Sequence, residues 1–166
     1  RNHARSRRGS SLTLATKPMI DRLARESLAE KLRQLASGAI TNFAFEEGYR
    51  HSKHDLAIHE IAECLAWPYY DDSTEHRLTG DHALLDGHRK DFARAVLFLK
   101  SDCEYRWPKR SGLAGWTGQI RRIFGMRLSS PKRDMGEVRF WPFWSEEEYR
   151  EALKRHPYLV GETQNG

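Results

Sequence analysis

The densest run of apolar positions lies near the middle of the chain. From Phe92 to Cys103, the residues Phe92, Ala95, Val96, Leu99 and Cys103 recur at helical spacing, and Leu97 and Phe98 widen the stripe. A helix apolar over so much of its circumference takes neighbours on more than one side. This segment, opened by a capping Asp86, is therefore expected to be the central helix. An N-terminal helix is predicted with Pro18 in its first turn and Gly38 as its C-terminal cap. Ile20, Leu23, Leu28, Leu32 and Leu35 form its apolar face, with Asp21–Arg25 and Arg22–Glu26 as i,i+4 pairs on the solvent side. Asp55 caps a further helix reaching Trp67, whose buried face is Ile58, Ile61, Ala62 and Leu65 and which Pro68 ends.

Two more helices follow. Leu113, Trp116, Ile120, Ile123 and Phe124 line one face of a basic amphipathic stretch, in which Gly115 and Gly118 each cost about 1 kcal/mol relative to Ala. The last helix has the clearest local signature. Ser145 and Glu148 form a capping box, Trp144 and Tyr149 fit the flanking hydrophobic staple, and Glu146, Glu147 and Glu148 suit the helix dipole. Between these elements, residues 39–53 read as an ordered loop or short helix, and 69–86 as a polar connection turning at Gly80. Residues 137–143 read as a short extended segment, because Val138 and Phe140 alternate with charge. With no repeat and no alternating strand–helix pattern, the expected fold is mainly α, a single-domain bundle of about five helices. Residues 17–160 would form it, flanked by a disordered basic arm (1–16) and a disordered tail (161–166).

Composition agrees with a folded domain: 166 residues, 39% of them hydrophobic, suit one core. Cys64 and Cys103, each expected on an apolar helix face, read as buried free thiols of a reducing compartment rather than a disulfide. No apolar run approaches the roughly 20 residues of a membrane span, and the Arg-rich residues 1–8 lead into no apolar signal segment. A cytoplasmic location is the expectation. The net charge of +5 is unevenly divided: +4 over residues 1–16, −4 over 17–104, +8 over 105–133 and −3 over 134–166.

Three constellations carry candidate chemistry. Six of the eight histidines lie between His51 and His88 among several acids, and His59 and Glu63 stand at i,i+4 within HExxE. That is a weak start for a metal site, and a polar solvated face accounts for the same residues. Asp72, Glu75 and His76 would meet Asp102, Glu104 and Tyr105 if the 69–80 loop folds over the end of the central helix. The alternative is that Asp102 or Glu104 accepts hydrogen bonds from Arg77 and from loop amides, holding the loop down. In the basic segment, Arg106, Lys109, Arg110, Arg121, Arg122, Arg127, Lys132 and Arg133 interleave with aromatics. This pattern suits a nucleic-acid backbone, an anionic membrane or acidic protein, or a core-packed helix paired with the acidic body. The chain has no nucleophile elbow, phosphate-cradling Gly loop or CxxC pair, and no cofactor is expected.

Three blocks, YYDDSTEHRLTG (69–80), LFLKSDCEYRWP (97–108) and FWPFWSEEEYREALKRHPYL (140–159), resemble a group of small uncharacterised bacterial proteins. The resemblance implies a single bacterial cytosolic domain in which the three blocks meet, and it carries no activity, cofactor or partner with it. The functional expectation is a non-enzymatic domain that binds another protein, anchored by Trp107, Trp141 and Trp144. Nucleic-acid binding is the alternative, and a metal-assisted or acid–base hydrolase built on residues 51–88 the second alternative.

Overall fold

Helix α1 (Arg22–Ala36) begins where Asp21, in extended backbone, turns its carboxylate onto the Ala24 amide at 3.0 Å. The computed structural model describes residues 20–69, 73–109 and 136–156. The features predicted on Pro18, on the basic arm, on Asp72, on the 113–124 helix and on the tail lie outside the described residues. Ala24, Leu28, Ala29, Leu32 and Leu35 form the buried stripe of α1, whereas Leu23, predicted on that stripe, is 67% exposed. The C-terminal cap is Ser37 rather than the predicted Gly38, which follows it in the left-handed conformation at φ +71°. Glycine is required there for a second reason. A Cβ on it would stand 2.3 Å from Thr79 Cγ2, because the 78–79 loop rests against this turn.

Helix α2 (Asn42–Glu46) is the short helix allowed for in the 39–53 stretch, capped by Thr41 and burying Phe45. Helix α3 (Leu56–Ile61) has the predicted Asp55 cap and buries Ile58 and Ile61. It continues as a π-helical turn through Ala62–Ala66 and a 3-10 turn at Trp67–Tyr69. Helix α4 (Asp86–Lys100) is the central helix, with Phe92, Ala95, Val96, Leu97, Phe98 and Leu99 all buried. Two details of its ends differ from expectation. The cap position is Leu85, so Asp86 is the first helical residue, where its charge faces the helix dipole. The helix also stops at Lys100, because Ser101 Oγ donates to the Phe98 carbonyl at 2.7 Å. Cys103 therefore lies beyond it, and both Cys64 and Cys103 are half-buried free thiols.

Helices α1 and α4 run antiparallel: Arg22 near the start of α1 donates to the Leu99 carbonyl, and Glu26 pairs with Lys100. Helix α5 (Glu146–Arg155) packs against α4 and keeps the predicted Ser145 cap, which accepts from the Glu148 amide at 3.4 Å. The Glu148 carboxylate reaches back to the Trp144 amide, one residue before the cap. Tyr149 sets its ring against Phe140 and Phe143. In place of the extended segment at 137–143 there is a 3-10 turn, Val138–Phe140, followed by a cis Trp141–Pro142 bond. The physical reason lies in the local bonds: Glu137 donates to the Trp144 carbonyl, closing 137–144 into a loop, and Pro142 has no amide to offer a strand partner. No strand occurs among the described residues, which hold only an isolated bridge between Thr41 and Arg77.

The two i,i+4 pairs predicted on the solvent side of α1 do not form. Arg25 is 1% exposed and turns inward, its Nε 2.5 Å and its terminal nitrogen 3.1 Å from the two oxygens of buried Asp55. The same guanidinium donates to the Cys103 carbonyl at 2.8 Å and lies 5.1 Å above the Phe98 ring. Asp55 in turn accepts the Asp21 and Ala57 amides, each at 3.2 Å. Arg25→Ala leaves a buried carboxylate without its cation, so it is expected to cost about 3–5 kcal/mol in urea unfolding. A loss under 1 kcal/mol would refute the interior role. A second expectation concerns pH. The bond from the Ala24 amide holds the Asp21 carboxyl below its usual value of 3.8. Its contribution is complete above that value and disappears as pH falls through the lower folded one. Asp21→Asn should flatten the acid limb of a stability-versus-pH curve below about pH 4.

Candidate functional site

The polar-aromatic stretch after α4 is where two of the three sequence blocks meet. Tyr105 is buried edge-on against Phe98, and its hydroxyl accepts from Trp141 Nε1 at 3.3 Å. Trp107 is also interior, its Nε1 donating to the carbonyls of Pro142 and Phe143 at 3.0 and 3.2 Å. Its ring stands 5.3 Å from that of Trp144. Thus Trp107, expected as a binding anchor, instead holds the 140–144 turn to the end of α4. Trp141 and Trp144 are half-buried. Arg94 donates to the Trp141 carbonyl at 2.6 Å, and Arg106 lies over the Trp144 ring at 5.1 Å while pairing with Glu148. Beside this face a groove of about 550 Å³ runs between the 100–106 stretch and α5, lined by Asp102, Cys103, Arg106, Trp144, Glu148 and His156 among others.

The first block lies elsewhere. Asn42, fully buried, donates its amide to the His76 carbonyl and accepts the His76 amide on Oδ1, at 3.0 and 2.9 Å. Thr41 Oγ1 donates to Glu75, and Arg77 donates to the carbonyls of Gly38 and Ala39. These bonds fix Glu75, His76 and Arg77 at the C-terminal end of α1. Asp102, paired with Arg22, sits at the N-terminal end of the same helix. Fifteen residues of helix separate the two groups by about 22 Å. The convergence of Glu75 and His76 with Asp102, Glu104 and Tyr105 is therefore not assembled, and neither is the alternative in which Arg77 meets Asp102 or Glu104. Glu104 is exposed.

His59 and Glu63 do share a helix face, with Nδ1 and Oε1 3.9 Å apart and both side chains about half exposed. Among the described residues no three His, Cys, Asp or Glu side chains are gathered around one point. Of the eight basic residues in the nucleic-acid constellation, Arg106 and Lys109 are described, and Arg106 lies over the Trp144 ring and pairs with Glu148. Arg110, Arg121, Arg122, Arg127, Lys132 and Arg133 lie outside the described residues.

A second groove, about 530 Å³, opens at the other end of the bundle between Pro68, Tyr69, His76, His82, Leu85 and His88. Burial, reinforced by the nearby Asp91 charge, raises the Tyr69 phenol above its usual range and keeps it protonated. The His76 and His82 rings stand 4.7 Å apart. Sequence reasoning placed both residues in a polar connection without pairing them. Their spacing across Gly80, whose positive φ turns the chain back, is the signal that brings them together.

Fold and grooves define a small, mainly α-helical domain, and none of its described helices is long and apolar enough to cross a membrane. No protein-family model, no curated protein and no solved structure matches the chain. Urea unfolding checks the interior role of Trp107. Trp107→Ala is expected to cost about 3–5 kcal/mol by urea unfolding. Trp107→Phe, which keeps an aromatic ring but loses the pyrrole part of the indole with its N–H, should cost about 1–3 kcal/mol. Equal, near-zero effects would refute its role in holding the turn.

Proposed function

We propose that this is a non-enzymatic, cytoplasmic bacterial domain that binds another protein through the aromatic–arginine face at the end of α4. The observation that supports the reading is the half-buried Trp144 ring, carrying Arg106 across it at 5.1 Å, beside the groove along α5. Tryptophan and arginine dominate binding energy when a partner desolvates them. Trp144 adds little conformational cost, since Trp107 already backs its ring. Trp141 extends the face, held by Arg94 and Tyr105. Trp107 supports this surface from below and does not belong to it.

The test is comparative capture from the source cells with the full chain as bait, followed by affinity measurement with the protein identified. Trp144→Ala is expected to weaken that affinity by about 2 kcal/mol or more, roughly 30-fold. Arg106→Ala should weaken it in the same direction, with unchanged helical circular dichroism in both variants. Recovery of nucleic acid in a salt-sensitive complex, with no Trp144-dependent protein, would overturn the reading in favour of the basic segment.

A further inference from the structure

We infer that His76 and His82 form a two-imidazole site for a borderline divalent cation of the Zn²⁺ class, in the groove beside Tyr69. The geometry begins with the backbone. His76 is pinned on both its amide and its carbonyl by the buried Asn42, so its ring starts from a fixed point. His76 Nδ1 lies 3.2 Å from the Thr74 carbonyl, which accepts a hydrogen bond there only if that nitrogen carries the proton. The tautomer so selected leaves the Nε2 lone pair available to a cation. A ring N–H donated to a backbone carbonyl is the usual support of a metal-binding histidine.

His82 is supplied by the 3-10 turn Gly80–His82, whose last amide donates to the Thr79 carbonyl at 3.1 Å. The two ring centres are 4.7 Å apart. Two imidazoles bound to one cation at about 2.0–2.1 Å, with a near-tetrahedral angle between them, place their ring centres about 5 Å apart. The observed ring separation, with the two planes tilted 36° to each other, lies near that centre-to-centre distance. No third such ligand is gathered around one point among the described residues. Asp81 and His88 line the same groove. Imidazole ligands select Zn²⁺, Ni²⁺ or Cu²⁺ over Mg²⁺ and Ca²⁺, which seek oxygen. A bound cation would tie the 73–82 loop to itself across the Gly80 turn.

The experiment is Zn²⁺ titration of the chelator-treated full chain by calorimetry, with His76→Ala, His82→Ala and His59→Ala run in parallel. Each of the first two is expected to weaken the tightest Zn²⁺ event at least about tenfold, as loss of one of two ligands demands, and His59→Ala to leave it unchanged. His82 is exposed, so its variant is expected to fold as wild type, checked by circular dichroism. Absence of a Zn²⁺ event in the wild-type chain would overturn the inference. So would a His82→Ala chain that binds as wild type, loss of binding in His59→Ala, or displacement of Zn²⁺ by equimolar Mg²⁺.

Discussion

The buried ion pair between Arg25 and Asp55 is the constraint on which the rest of the arrangement depends. One guanidinium joins α1 to the cap of α3 and to the chain leaving α4, while its face rests on Phe98. Both side chains are within a few per cent of full burial, and such a pair is tolerated only where the remaining donors and acceptors are satisfied. Here they are. Asp55 accepts from two amides besides the arginine, Arg25 donates to a carbonyl, and no buried side-chain nitrogen or oxygen among the described residues lacks a partner. Hydrophobic burial along α1 and α4 supplies the driving force, while the ion pair ties α1 to the cap of α3 and the bond to the Cys103 carbonyl ties it to the chain leaving α4.

That second tie has a consequence for the surface. By holding the Cys103 carbonyl, Arg25 fixes where the chain goes after Ser101, and so where Tyr105, Arg106 and Trp107 are delivered. Trp107 then captures two carbonyls of the 140–144 turn, and that turn presents Trp141 and Trp144 at the edge of the groove along α5. The far end of the bundle is organised independently, by Asn42 and Arg77 holding the 74–79 loop to the end of α1. The described residues thus carry two grooves about one helix length apart. One is lined by Trp144 and by side chains of both charges, the other by imidazoles, and among the described residues neither groove reaches the other.

Much of this was legible in the chain itself. The apolar periodicity of 92–99 and of 28–35 marked the two principal helices, and Asp55 and Ser145 marked two of the caps, because capping and helical spacing act over only three or four residues. Arg25 reads as a solvent-side partner of Asp21 although it lies three, four and seven positions before Leu28, Ala29 and Leu32, on their stripe. A charge at such a position reads as solvent-facing until a partner far along the chain is known. The extended reading of 137–143 failed for a related reason. Alternation identifies a strand only where a neighbour offers a ladder, and here the neighbours are Trp107 and Tyr149.

What the sequence by itself determined is local: a mainly helical chain, the approximate extent of its helices, and the residues of the central apolar stripe. The tertiary structure decided everything that depends on distant pairs. It turned Trp107 inward and left Trp141 and Trp144 at the edge, separated Glu75 and His76 from Asp102, and brought His76 to His82. Periodicity reports which side of an element is buried. Which element buries it, and which polar groups are carried along, follows from contacts between residues tens of positions apart, and no local pattern encodes those.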